Sequence, residues 1–229
     1  MRPYKLIRSR RKTIAIYIAK DATVEVRAPM KTSLSEIDAF VKKKEKWIDE
    51  HIARRERVNG EKQAFAPDYG DDVLLFGKLC QLSGREEDSI GYDAEGEAGS
   101  VWIPADLTAD SVKRALVYLY QTALKKYLDV KINDFARRMK VMPTGVRINS
   151  AKSRWGSCSA KGSINFSWRL VMADTDTIDY VVVHELAHLL ELNHSPQFWA
   201  IVEEVLPDYK KRQKKLKILQ DKLASQDWD

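Results

Sequence analysis

The sequence contains little cysteine. Only two cysteines, Cys80 and Cys158, occur in 229 residues, and they do not form a CxxC pair. Two cysteines are too few for a disulfide framework, and their separation is not that of a zinc or redox motif. We therefore expect two plain thiols in a reducing compartment, and the sequence predicts a cytoplasmic protein.

Long apolar runs are also missing. A membrane-spanning helix needs about 18 consecutive apolar residues, and no run in this sequence approaches that length. The segment TIAIYIA, which follows the basic N-terminus, is too short and too strictly alternating for a signal peptide. We expect no membrane partner. The net charge of +6 is moderate and does not identify an anionic partner by itself.

The first 105 residues are predicted to form a mainly β region with one helix. Alternating apolar residues before and after position 20 indicate a β-hairpin. Ser33 and Glu36 have the spacing of a capping box, so a helix is expected from Ser33 to beyond Ile48. Three strand-like pieces follow, namely VLLFG, CQLSG and VWIP. The acidic segment 85–97 between the last two is expected to be a mobile loop.

Residues 106–229 are predicted to form the second domain. Apolar spacing indicates one long helix from about Asp106 to Met139. Two strand candidates follow, GVRINSA and SINFSWRLVM, joined by the loop KSRWGSCSAKGS. An apolar helix with histidines and a basic C-terminal helix complete this part. The pattern as a whole predicts an α+β fold.

The stretch HELAH carries the strongest chemical signal. His184 and His188 lie four residues apart, so on a helix both rings project from the same face and can converge on one ion. Glu185 lies beside them. This is the HExxH pattern, in which two imidazoles bind zinc and the carboxylate reaches a metal-bound water. We therefore predict a Zn2+ cofactor, with Glu185 as the catalytic base.

A catalytic zinc usually has three protein ligands. The chain is expected to turn at His194, because Asn193 can adopt a left-handed conformation and Ser195-Pro196 is typical of a new helix start. His194 is the preferred third ligand, because a histidine in a helix break otherwise lacks a purpose and zinc favours imidazole. The spacing of the three histidines equals that of the metzincin signature, although Glu191 stands where that signature has glycine. Glu203, on the following helix, is the competing ligand.

These motifs resemble a known family. The stretches WGSCS, INFSWRL, DYVVVHELAHL, NHSPQFW and DYKKRQKKLK are similar to those of the YgjP-like family of zincin-fold metallohydrolases, which is related to the SprT-like and WLM metallopeptidases. The resemblance is specific over about Val146 to Leu216 and weaker over SRRKTIAIYI, VEVRAP and LLFGK. It implies a zincin-like metallopeptidase fold with an active-site HExxH helix. It also implies His184, His188 and His194 as zinc ligands and Glu185 as general base, and it leaves the substrate open.

The loop WGSCS has two interpretations. Its residues line the active-site cleft as an edge strand that aligns an extended substrate, or they form a tight hairpin turn with a packed tryptophan. A nucleophilic role for Cys158 is disfavoured, because no base is evident for the thiol. Arg154, Arg169 and Tyr209 are candidates for a second oxyanion donor, and the sequence does not rank them.

The predicted function is that of a zinc-dependent metallopeptidase acting on a peptide or protein. Two alternatives remain open. One is hydrolysis of a nucleoside triphosphate at the same metal, although no Walker-type glycine loop is present. The other is a nucleic-acid-associated zinc module, because six lysines and arginines lie between Lys210 and Lys217 on the C-terminal helix. An intact Glu185 argues against the second, since a structural zinc site needs no base.

Overall fold

The computed structural model describes residues 3–19, 21–60, 63–64, 66–87, 89–95, 99–224 and 226–227. It combines helices and sheets, as the α+β prediction requires. The chain divides into two compact units, Met1–Phe65 with Lys222–Asp229, and Ala66–Asp221. The predicted boundary between 105 and 106 falls inside the second unit, because the strands that precede it pack against helices that follow it. None of the helices in these ranges is long and apolar enough to span a membrane.

The first unit contains a three-stranded sheet. Its strands are β1 (Lys5–Ser9), β2 (Ala15–Ile18) and β3 (Val24–Pro29), in the order β1-β3-β2. The β2–β3 pair is antiparallel, which confirms the predicted hairpin, and β1 pairs with β3 in parallel. Strand β4 (Gln63–Ala64) pairs with β12 (Gln226–Asp227).

The helical part of this unit differs from the prediction of one helix. The capping box is confirmed, since the Glu36 amide donates to the Ser33 hydroxyl and the Ser33 amide donates to Glu36. The helix nevertheless ends after ten residues. The structure has α1 (Leu34–Lys43) and α2 (Glu45–Gly60), because Lys44 leaves helical geometry and its amide turns back to Val41 and Lys42. No glycine or proline marks this break.

The second unit begins with a four-stranded sheet. Its strands are β5 (Asp72–Leu75), β6 (Lys78–Arg85), β7 (Gly91–Asp93) and β8 (Gly99–Pro104), in the order β5-β6-β8-β7. The three predicted strands are thus present. The predicted acidic loop instead contains β7, which pairs antiparallel with β8. Residues 88, 96 and 97 of that loop lie outside the described residues.

Helix α3 (Ala109–Met139) is the predicted long helix. It buries the expected apolar face, including Val112, Leu116 and Leu119. Lys140 ends it in a left-handed conformation, with its amide donating to Ala136 and Arg137. The helix packs against α4 (Thr175–Ala187) and against a 3₁₀ helix, and so supports the helix that carries the first two histidines.

The second unit also contains a three-stranded sheet, which packs against α4. Its strands are β9 (Gly145–Asn149), β10 (Gly156–Cys158) and β11 (Ser163–Ser167), in the order β10-β11-β9. The predicted strand SINFSWRLVM is correct only as far as Ser167. Residues Trp168–Met172 form a 3₁₀ helix with all five side chains buried. A short, mainly apolar run does not by itself distinguish a buried strand from a buried helical turn. Helices α4 (Thr175–Ala187), α5 (Pro196–Val205) and α6 (Tyr209–Leu223) complete the unit.

Candidate metal centre

Helix α4 carries the first two histidines. Asp174 caps its N-terminus, where the carboxylate accepts a hydrogen bond from the Thr177 amide at 2.8 Å. The residues from Thr177 to Val183 are all buried, so the helix runs through the interior of the unit. His184 and His188 lie at its C-terminal end with their rings half-buried. The helix thus presents two imidazoles where the interior meets the surface.

The chain turns sharply after His188. The Leu189 amide donates to Leu186 and the Glu191 amide donates to Ala187, which tightens the last turn of the helix. The predicted left-handed conformation of Asn193 is wrong, because its φ is not positive. The tight hydrogen bonds make the turn instead. The predicted restart is confirmed, since Ser195 caps α5 and accepts from the Phe198 amide at 3.2 Å.

The turn brings His194 back to the other two histidines. Ligand nitrogens of His184, His188 and His194 all lie within 4.8 Å of one another. The Nε2 atoms of His184 and His194 are 3.0 Å apart. Glu203 is not in this cluster. Its side chain is 56% exposed and faces Lys210.

Phe198 packs against all three imidazoles. Its ring centroid lies 4.9 Å from His184, 4.6 Å from His188 and 4.8 Å from His194. The three imidazole centroids are themselves 4.8 to 5.0 Å apart. The four rings therefore occupy the corners of a nearly regular tetrahedron. Phe198 is fully buried, so one side of the imidazole triangle is closed to water.

The protonation states suit a metal ion. Burial, together with His188 and His194, lowers the pKa of His184 to about 3, so its ring is neutral at physiological pH. The Nδ1 atom of His188 lies 3.1 Å from the Glu191 carbonyl oxygen, which fixes Nδ1 as the donor and leaves Nε2 to bind. Three imidazoles that converge in this way are a donor set that zinc favours. The residues present therefore fit a divalent metal ion.

Glu185 is a buried carboxylate beside the histidines. Its side chain is 5% exposed, and its Oε2 atom has no hydrogen-bond partner in the part of the chain that the structure describes. Burial raises the pKa of Glu185 to about 7, although the positive charge of Arg154 opposes this rise. A carboxylate with a pKa near neutrality and an oxygen without a partner is suited to exchange a proton at physiological pH.

Strand β10 combines the two interpretations of WGSCS. The segment pairs antiparallel with β11 as one arm of a hairpin, and it is also the edge strand that packs against α4. Gly156 in this strand was not predicted from the sequence. A Cβ atom at Gly156 would lie 2.5 Å from Glu185 Oε1, so the backbone of β10 contacts the carboxylate directly. The signal in the sequence that could have indicated this contact is a glycine, between Trp155 and Ser157, in a segment that was expected to line the cleft.

The candidate nucleophile and the three candidate oxyanion donors differ in burial and in their contacts. Burial raises the pKa of the Cys158 thiol, and so does the nearby charge of Glu185, which disfavours a thiolate nucleophile. Arg169 is buried and donates to the Ser150 carbonyl at 3.0 Å. Tyr209 is buried and stacks on Trp199. Of the three oxyanion candidates, Arg154 is the exposed side chain whose charge acts on Glu185.

The basic helix α6 directs part of its charge to α4. Arg212 forms an ion pair with Asp208 at 2.9 Å and donates to the Asp176 carbonyl oxygen at 2.8 Å. Lys215 contacts the Asp174 carboxylate at 3.1 Å. Arg212 and Lys215 thus hold α6 against the N-terminus of α4. A nucleic-acid or nucleotide partner for this helix stays a prediction.

Comparison with known proteins gave two matches. A family model described as YgjP-like, metallopeptidase domain, matches residues 12–218. The crystal structure of the metallopeptidase zymogen of Pyrococcus abyssi abylysin is 25% identical over 40% of this chain and 92% of that one, with a TM-score of 0.38. No curated protein matches the chain.

Proposed function

The chain belongs to the YgjP-like metallopeptidase family, and from this premise we propose that it is a zinc-dependent metallopeptidase with a zincin-like fold. His184, His188 and His194 hold the metal ion, and Glu185 is the general base. One observation carries the proposal, namely that three imidazoles converge beside a buried carboxylate with one oxygen lacking a partner among the described residues.

A divalent ion held by the three imidazoles would acidify a water molecule and polarise the carbonyl of the bond to be cleaved. Glu185 accepts the proton at Oε2 and delivers it to the leaving amine, a role for which a pKa of about 7 is well placed. Phe198 excludes water from one side of the imidazole triangle, which strengthens the electrostatic interactions there. Arg154 is the side chain best placed to add positive charge on the Glu185 side.

A peptide is the substrate that the surrounding elements favour. Strand β10 pairs with β11 along one edge and packs against α4. An extended peptide can add to the other edge of such a strand through backbone hydrogen bonds. Nucleoside triphosphate hydrolysis has no comparable support, because the sequence lacks a glycine-rich phosphate loop.

One experiment tests the base and the substrate class together. Zinc-loaded protein is incubated with a peptide library and, in parallel, with nucleoside triphosphates. Glu185→Gln should retain zinc while peptide cleavage falls about 100- to 10,000-fold. Glu203→Gln is the matched control, since it neutralises an exposed carboxylate outside the histidine cluster. Unchanged turnover in Glu185→Gln would refute the assignment of the base, and cleavage of triphosphates alone would refute the assignment of peptides.

A further inference from the structure

The three histidines receive unequal support from the backbone. His184 and His188 lie at the end of α4, where neighbouring turns fix their direction. His194 lies in the segment between α4 and α5 and is exposed. A side chain on such a segment must lose more rotamer freedom when it binds an ion, and this loss weakens binding.

Trp199 contacts the exposed ring directly. The indole stacks on His194 with centroids 5.7 Å apart and planes inclined by 25°. It also contacts His184 at 5.8 Å. The indole also stacks on Tyr209, with centroids 5.4 Å apart and planes inclined by 16°. Tyr209 is buried at the start of α6, so it provides a fixed support for the indole.

We propose that Trp199 is a positioning residue that holds the His194 ring in its metal-binding orientation. The inference rests on the proposed metal centre. Stacking restricts rotation of the imidazole before the ion arrives, so less entropy is lost on binding. Tyr209 limits movement of the indole in turn. Trp199 and Tyr209 together thus restrict the orientation of the His194 ring, as the backbone of α4 restricts the directions of His184 and His188.

Phe198 does not serve the same purpose. It is fully buried and contacts all three imidazoles about equally, so its replacement would disturb the core and every ligand together. Trp199 is half-buried and contacts His194 and His184 but not His188, so its replacement tests ring orientation more cleanly.

The test measures zinc affinity by chelator competition. Trp199→Met keeps an apolar side chain but removes the flat ring, and we expect zinc affinity to fall about 10- to 100-fold. Trp199→Phe restores an aromatic face and should stay within about threefold of wild type. Trp102→Met is the matched control, because Trp102 is also half-buried and its ring packs on Arg85 and Gly91. Wild-type affinity in a folded Trp199→Met would overturn the proposal.

A double-mutant cycle shows whether Trp199 acts through His194. In a His194→Ala background, Trp199→Met should change the residual zinc affinity by less than about twofold. An equal loss in both backgrounds would mean that Trp199 acts elsewhere, and this would overturn the proposal. If the His184→Ala variant binds zinc as tightly as the wild type does, the proposed metal centre itself is refuted. Failure of the metal centre and failure of the role of Trp199 are therefore distinguishable.

The wild type decides the question if Trp199→Met does not fold. In the metal-free protein, nuclear Overhauser contacts should connect the ring protons of His194 with the indole protons of Trp199, which distinguishes the indole from Phe198. Absence of these contacts would show that the indole does not hold the ring before binding and would overturn the proposal.

Discussion

Gly156 lies directly against the carboxylate of Glu185. A Cβ atom at position 156 would be 2.5 Å from Oε1 and 2.7 Å from Cγ of Glu185, closer than real Cβ atoms approach other atoms. Because Glu185 is 5% exposed, its side chain has little room to retreat. The absence of a side chain at Gly156 therefore allows the carboxylate of Glu185, the proposed base, to lie where it does.

Gly156→Ala should displace the Glu185 carboxylate while leaving the histidines in place. A shift of about 1 Å in a catalytic group can cost about 100-fold in rate, so we expect peptide turnover to fall by about that factor. Zinc content should stay at the wild-type level. Gly145→Ala, in β9 of the same sheet, is the control, because a Cβ there would meet nothing within 4 Å. Equal activity of the two variants would show that the contact does not position Glu185.

His194 should be the third ligand rather than Glu203. His194→Ala removes a nitrogen from the cluster and should lower zinc affinity by more than the roughly 10- to 100-fold that loss of a ligand's hydrogen-bond partner costs. Glu203→Gln should leave the affinity nearly unchanged, since its exposed side chain faces Lys210. Chelator competition on both variants gives the order. The reverse order would transfer the role to Glu203.

Metal removal should lower the stability of the wild-type protein. An ion that binds only the folded chain stabilises it by about 4 kcal/mol when its free concentration is a thousand times the dissociation constant. A chelator should therefore lower the melting temperature of the wild type and of Glu203→Gln. His188→Ala should melt at one temperature with or without the chelator. A chelator-dependent shift that persists in His188→Ala would place the ion elsewhere.

The charge of Asp174 should stabilise the fold in a pH-dependent way. Burial by itself would raise the pKa of this carboxyl, but the Thr177 amide and Lys215 outweigh that effect, and the pKa is lowered from 3.8. The folded state therefore binds the proton less tightly than the unfolded chain does. The stabilisation is present above pH 3.8 and is lost as the pH falls through the folded-state pKa.

Asp174→Asn isolates this charge, because asparagine still caps the helix. The metal-free variant should be less stable at pH 7 by about 0.5 kcal/mol, a small effect because the Asp174 side chain is 36% exposed and solvent screens its charge. Urea unfolding at pH 7 and pH 3 should show the difference shrinking towards zero in acid. A difference that is constant with pH would assign the effect to the shape of the cap.

The sequence by itself determined the local features. The hairpin, the Ser33 capping box, the long helix and the restart at Ser195-Pro196 were all predicted and are present, because each depends on neighbouring residues and on one periodicity. The convergence of His184 and His188 was predicted for the same reason, since a four-residue spacing places two rings on one helix face. The helix break at Lys44 was missed, because no residue type marks it.

Only the tertiary structure decided which distant residues meet. The contact of Gly156 with Glu185 and the packing of Phe198 on His184 and His188 join residues of different elements, and no local pattern encodes such contacts. The 3₁₀ helix at Trp168–Met172 and the place of residues 66–105 in the second unit depend equally on packing. Local spacing identifies the donors that an ion needs, but the packing of strands and helices around them decides how firmly those donors are held.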